Sequence, residues 1–298
     1  MRVICVNYST NKMKNKTLLI DGSNLMHRVY WVTSKTNTNT VHMFMNSIKK
    51  IYNEWTPTKI YLAWDSKLVK GEKSFRREDE DYKQNRDKST WEKVYEHEET
   101  IKSVCESLGV YNIYPGVLEA DDVIHFLAKS IKGEKIIITT DHDMLQLVEK
   151  NTCVYNPIRK VTYTDENFEE LTKVSIENYI HYKSLIGDKS DNIPGVPRVG
   201  HKTALKIIDQ GIKETLSSDD YVQYKSNLKL IDLSCAVKNH PGEEDIYERQ
   251  LCESYELSSD YNKCKSICET VGFPKKSVDN FTMFFNNEMN NILLQILK

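Results

Sequence analysis

The sequence has no apolar run of transmembrane length, and its apolar start, Val3 to Val6, is far too short for a signal peptide. It has no repeats, no low-complexity tract and no C-x-x-C pair of the metal-binding kind. Its 7 cysteines, an odd number, fit reduced thiols and a cytoplasmic setting. Cys264 and Cys268 lie four apart with no histidine nearby, which reads as a pair on one helix face rather than a zinc site. Basic excess is missing too. Lys and Arg number 41 against 43 Asp and Glu, a net charge of −2, which taken alone argues against a nucleic-acid partner. That argument loses force where many acids hold metal, because the remaining surface is then basic. What remains is ordinary for a globular chain. It is 39% hydrophobic and 28% charged, and 298 residues suffice for one large domain or two closely joined ones.

What the sequence does have is aspartate at the ends of apolar strands. Thr17-Leu18-Leu19-Ile20 ends at Asp21, Ile60 to Trp64 ends at Asp65, and Ile136 to Thr140 ends at Asp141, with Asp143 two residues on. Near-continuous apolar runs read as buried parallel strands, and ligands of such sheets bind beyond the carboxyl ends of the strands. Carboxylates from separate strands then meet in one crevice. Their mutual repulsion calls for a cation, and an all-oxygen donor set suits Mg²⁺ or Mn²⁺ rather than zinc.

Along the chain, residues 1–15 are polar and without periodicity, a flexible tail in which Met13 offers an alternative start. Val41, Phe44, Met45, Ile48, Ile51, Tyr52 and Trp55 fall at helical spacing between the first two strands, a βαβ order that predicts a parallel sheet. Residues 66–102 are dense in charge, with Phe75, Tyr82 and Trp91 interleaved among lysines and arginines. They read as a solvated loop or exposed helix that cannot build a core, and the aromatics spaced among basic residues tilt the reading towards a nucleic-acid contact through stacking and phosphate pairing. A strand near Val110 to Tyr114 follows. Glu119, Asp121 and Asp122 open a helix. The helix dipole alone favours acids there, but it does not require three within four residues. From about Ile176 the pattern is helical. Asp188 and Asp191 share one side of a tight turn, and a glycine-bounded turn at 195–204 opens another helix whose backbone N–H groups suit phosphate. The run from Phe281 to Leu297 reads as a core helix.

Leu19-Ile20-Asp21-Gly22-Ser23-Asn24, Phe75-Arg76-Arg77 with Tyr82-Lys83-Gln84-Asn85-Arg86, Glu119-Ala120-Asp121-Asp122, Thr140-Asp141-His142-Asp143 and Gly187 to Val196 together resemble the 5′-nuclease (flap endonuclease) family. The nearest likeness is to its phage members, of the T-even ribonuclease H type. Each motif is weak alone, and their order and spacing make the match. It spans about residues 16 to 210.

The resemblance implies an α/β fold with a parallel-sheet, PIN-like 5′-nuclease core at 16–174 and a helical arch insert at about 66–102. A helical C-terminal region at 175–298 would contain a helix-hairpin-helix at about 176–210. It implies two Mg²⁺ ions, with Mn²⁺ able to substitute. Asp21, Asp65, Glu119 and Asp121 match the first cluster, with Asp122 beside them. Asp141, Asp143, Asp188 and Asp191 match the second. Asp21 and Asp141 thereby become catalytic. Lys83 and Arg86 match arch cations at the scissile phosphate, and Tyr82 a stacking position. Arg76 and Arg77 stand even between phosphate contact and solvated charge. His142 reads as a bystander and His201 as a surface residue.

Arg198, Gly200, Lys202 and Thr203 fall in the hairpin that meets duplex backbone. A K⁺ site there stays open, because Arg198 stands where the family has glycine, and arginine adopts positive φ poorly. Implied substrates are branched or 5′-ended duplex DNA and RNA–DNA hybrid. Implied partners are a single-strand-binding protein and a sliding clamp, with a monomeric chain. Three other functions compete. A PIN-like ribonuclease has no need of the insert or the hairpin. An inactive DNA-binding module would be expected to lose ligands, yet every acidic position is filled. An aspartyl phosphatase needs D-x-D after the first strand, and here Asp21 is followed by Gly22 and Ser23.

Overall fold

The computed structural model describes residues 16–36, 38–66, 76, 91–254, 260–273 and 278. The expected tail, most of the expected arch with Arg77, Tyr82, Lys83 and Arg86, and the run from Phe281 to Leu297 lie outside the described residues.

The chain begins β1 (Lys16–Asp21), α1 (Gly22–Thr36), α2 (Thr40–Trp55) and β2 (Lys59–Ala63). It continues α3 (Trp91–Tyr95), α4 (Glu98–Ser107), β3 (Tyr111–Ile113), α5 (Ala120–Ser130) and β4 (Glu134–Ile138). A 3₁₀ turn at Asp143–Leu147 leads to β5 (Thr152–Asn156) and β6 (Val161–Tyr163). Helices follow: α6 (Phe168–Thr172), α7 (Ile176–Ile186), α8 (His201–Gln210), α9 (Ile212–Thr215), α10 (Ser218–Ile231), α11 (Leu233–Asn239), α12 (Gly242–Ser254) and α13 (Tyr261–Thr270).

The strands form one sheet in the order β3-β2-β1-β4-β5-β6. All neighbours are parallel except β5 and β6, which are antiparallel. Strand order reverses between β1 and β4, and this is where a doubly wound sheet opens a crevice at its carboxyl edge. Side chains alternate between two cores. Leu18, Ile20, Ile60, Leu62, Ile136 and Ile138 face α1, α2 and α4, while Leu19, Tyr61 and Ile137 face α5, α11 and α12. Burial on both faces is why these strands read as continuous apolar runs.

Helix α2 buries the face its spacing predicted, Val41, Phe44, Met45, Ile48, Ile51 and Tyr52, with Asn39 capping its start through the His42 N–H. One expectation is corrected. The end of the charged stretch is no solvated insert: Val94 and Ile101 are fully buried in the first core. The strands β5 and β6 are not legible in the sequence, because Thr152-Cys153-Val154-Tyr155-Asn156 and Val161-Thr162-Tyr163 mix polar residues into short runs rather than forming continuous apolar ones.

In the helical region, α7 and α8 flank a tight turn packed on Tyr224 of α10. Asp188 and Ile193 exchange backbone hydrogen bonds of 2.9 and 2.8 Å. Gly187 sits at φ +73°, and a Cβ there would lie 2.4 Å from the Gly195 nitrogen. Only glycine fits such a crossing of backbones. Buried Asn227 donates to the Ser184 and Pro194 carbonyls at 2.9 and 2.6 Å, holding the turn to α10.

Candidate active site

The carboxyl edge of the sheet positions the acids. Asp21 is the last residue of β1 and is buried. It accepts hydrogen bonds from the Asn24 N–H at 2.8 Å and the Thr139 hydroxyl at 3.3 Å. Asp65 follows β2. Its N–H donates to the Ser23 hydroxyl at 2.9 Å, and its Oδ1 accepts the Ala120 N–H at 3.0 Å. That bond ties the end of β2 to the start of α5, where Glu119 is the N-cap residue, buried, and Asp121 is half-buried in the first turn. Beyond β4, the Asp141 N–H donates to Thr139 Oγ1 at 3.0 Å, and Asp141 Oδ1 accepts the Asp143 N–H at 2.8 Å. Thr140 reaches across to the Asn24 side chain at 3.0 Å.

Electrostatics link these acids. Burial, and then the charges of Asp65 and Asp141, push the Asp21 carboxyl up to about 7. Burial and the charge of Asp141, only partly offset by Lys183, push Asp143 up to about 7 as well, with Asp191 and Asp188 adding to it. Asp141 therefore acts on both groups of acids. Asp188 goes the other way: burial would raise its carboxyl, but Lys183 and Ser190 hold it below the ordinary value. Lys183, on α7, pairs with Asp188 and lies 3.1 Å from Asp143 Oδ1. Asp191 is buried in the same turn.

Among the described residues, no three acidic, histidine or cysteine side chains converge tightly enough to hold an ion as they stand. The donor set is nevertheless carboxylate oxygen throughout, and two of its members are raised by burial and mutual repulsion. That is the electrostatic condition a hard divalent cation relieves. Asp21, Asp65, Glu119, Asp121, Asp141, Asp143, Asp188 and Asp191 are the candidate ligands for such ions.

Two predicted site residues are placed otherwise. Arg76 does not meet solvent. Its guanidinium forms two 2.7 Å hydrogen bonds with Asp122, and its Nε donates to the Leu230 carbonyl at 2.9 Å. Asp122 is fully buried, spends both oxygens on Arg76, and accepts the Glu119 N–H at 3.1 Å as part of a capping box. An arginine shut away from water needs a carboxylate partner, so this pair is taken out of the phosphate and ligand sets.

Arg198 is exposed at φ +64°. The left-handed turn is kept without glycine, against the expectation that arginine would adopt it poorly. Gly200, the N-cap residue of α8, and Lys202 and Thr203 in its first turn are exposed beside it.

Lys183 was missed as a site residue. Its signal was a lysine on the last turn of a helix that runs into an aspartate-rich turn. Arg28, on α1, was missed too. Burial lowers its guanidinium and the Asp21 charge counters this, so it lies within the field of the site.

A family model for the 5′-3′ exonuclease N-terminal resolvase-like domain matches residues 16–173, and one for the 5′-3′ exonuclease C-terminal SAM fold matches 174–232. The chain is 37% identical over 220 residues to a 5′-3′ exonuclease of Halalkalibacterium halodurans, covering 67% of this chain and 71% of that protein. It is 30% identical over 258 residues to a 5′-3′ exonuclease of Buchnera aphidicola, covering 82% and 86%. Its fold is similar to that of the bacteriophage T5 flap endonuclease crystallised with DNA and metal ions, at TM-score 0.55 and 19% identity, covering 92% of this chain and 99% of that one. The chain is a nuclease of the 5′-3′ exonuclease family.

Proposed function

We propose that this chain is a magnesium-dependent, structure-specific 5′ nuclease. It cuts phosphodiesters as a 5′→3′ exonuclease and flap endonuclease, in 5′-ended or branched DNA and in RNA primers paired with DNA, during replication of the phage type. The observation that carries the reading is the electrostatics of the sheet edge. Asp21 and Asp143 are both raised to about 7 by burial and by neighbouring acids that share Asp141. A fold whose role was structural would gain nothing from burying carboxylates against one another.

When bound, two divalent ions supply the charge that activates water and neutralises the phosphodiester in an in-line displacement. The residues divide the remaining work. Asp21, Asp65, Glu119 and Asp121 form one holding group, and Asp141, Asp143, Asp188 and Asp191 the other. Lys183 neutralises part of the second group, and Arg28 on α1 lies within the field of Asp21. Lys83 and Arg86 are proposed at the scissile phosphate and Tyr82 on a base. Arg198, Gly200, Lys202 and Thr203 are proposed on duplex backbone. The product carries a 5′-phosphate. The chain acts as a monomer in the cytoplasm, beside single-strand-binding and clamp proteins.

The test is a labelled duplex with a 5′ flap, incubated with and without Mg²⁺ beside a single-stranded RNA. Metal-dependent cutting near the junction with RNA intact supports the reading. Cutting of the free RNA alone supports a PIN-like ribonuclease instead, and binding without cutting an inactive DNA-binding module.

A further inference from the structure

Helix α12 begins at Gly242, beyond the end of the stretch that either family model matches. It nevertheless grips the loop that delivers Glu119. That loop, 114–118, carries the chain from the end of β3 to the start of α5 and has no strand or helix of its own to satisfy its backbone. The Gln250 amide supplies what a further strand would: it accepts the Tyr114 N–H at 2.9 Å and donates to the Tyr114 carbonyl at 2.8 Å. Pro115 has no N–H to offer. The next two N–H groups, of Gly116 and Val117, both donate to the Glu243 carboxylate at 2.9 and 2.7 Å.

Every backbone donor from Tyr114 to Val117 is thus held by α12. Glu243 is 4% exposed, and a Cβ on Gly116 would stand 2.7 Å from its Oε1. The carboxylate can approach this closely only because residue 116 is glycine. On the loop's far side, the Leu118 carbonyl accepts the Ser66 N–H at 3.2 Å and the Ala120 N–H reaches Asp65 at 3.0 Å. The loop is therefore held between α12 and the end of β2, with Glu119 at its exit. Tyr247, fully buried, sets α12 against α5 through Phe126, ring centres 5.1 Å apart.

We infer that α12 is a positioning element of the nuclease site, with Glu243 its principal positioning residue: through the Gly116–Val117 N–H pair it sets the register of Glu119 against Asp65. The inference rests on the proposed reading of Glu119 and Asp65 as metal ligands. A buried carboxylate that accepts two backbone N–H groups makes strong, directional bonds. Partners that orient ligands in this way are worth about 10–100-fold in metal affinity or activity.

The experiment uses the full chain on 5′-flap DNA and compares Glu243→Ala, Glu243→Gln and Gly116→Ala with the parent. It reads kcat, KM, the Mg²⁺ concentration for half-maximal rate, and the unfolding midpoint. Glu243→Ala and Gly116→Ala are expected to lower kcat and raise the Mg²⁺ midpoint by about 10-fold or more, with KM within about twofold because no DNA-binding group is touched. Glu243→Gln, which keeps the volume and one acceptor, is expected to fall between these and the parent, and it carries the test should Glu243→Ala fail to fold.

Folded variants with the parent's kcat and Mg²⁺ midpoint, whatever their melting temperature, would overturn the inference and leave Glu243 a stabilising contact only. Glu119→Gln is the control. If its Mg²⁺ midpoint also matches the parent's, the ligand reading itself fails. If its midpoint rises and that of the Glu243 variants does not, the positioning role alone fails.

Discussion

Arg76 and Asp122 are locked together by two hydrogen bonds of 2.7 Å, with the carboxylate fully buried. The pair joins the root of the charged stretch to the helix that bears Asp121. The Arg76 bond to the Leu230 carbonyl extends the tie to α10. Arg76→Ala leaves an uncompensated buried carboxylate and is expected to destabilise the fold by about 3–5 kcal/mol. The double change Arg76→Met with Asp122→Leu is expected to recover much of that loss. Urea unfolding checks both. A single mutant within about 1 kcal/mol of the parent would contradict the pairing.

The raised carboxyl of Asp21 gives a stability trend with a definite sign. Its folded-state value of about 7 lies above the ordinary 3.8. Folding therefore favours its protonated form, and the stability it contributes is complete below about pH 4 and lost as pH rises through about 7. Asp143, also at about 7, adds in the same direction. In metal-free protein, the contribution of these two groups is expected to fall between those limits. Asp21→Asn is expected to flatten the trend and abolish cleavage. Mg²⁺ is expected to raise the melting temperature more at pH 8 than at pH 5, since protons compete with it for the same oxygens. Thermal melts at fixed ionic strength read this, and a melting shift by Mg²⁺ independent of pH would refute it.

Lys183 lies between Asp143 and Asp188. Lys183→Met removes a cation that lowers Asp143 against its acidic neighbours. Asp143 is then expected to hold its proton to higher pH, and the acid limb of the cleavage profile to move upward. A pH–rate profile that superimposes on the parent's would exclude this.

Arg198 combines an exposed charge with a left-handed backbone at φ +64°. Arg198→Gly keeps the conformation and removes the charge. Stability is expected to stay within about 1 kcal/mol, because relief at positive φ is offset by greater freedom in the unfolded chain. If Arg198 meets a phosphate, duplex affinity falls and the salt slope drops by about 1. Binding titrations at several salt concentrations decide it, and an unchanged slope would remove Arg198 from the interface.

The strands β1, β2 and β4 and the acids at their ends are legible from the residues alone. A strand buried on both faces must be apolar throughout, and a polar residue that ends it is conspicuous. Also legible are α2, through its period, and the turn after α7, through its glycines and aspartates. What the charges face is fixed by packing alone. Arg76 reads as a loop cation until α5 is packed beside it, and Asp122 reads as one acid among three until its oxygens are seen to be taken. Lys183 is one lysine on a helix until α7 is set against Asp143. Glu243 lies far along the chain from Gly116, and no local period can announce a carboxylate that closes on two backbone N–H groups of a distant loop. Partners such as these are set by how helices dock on the sheet, and docking is a property of packed surfaces rather than of neighbouring residues.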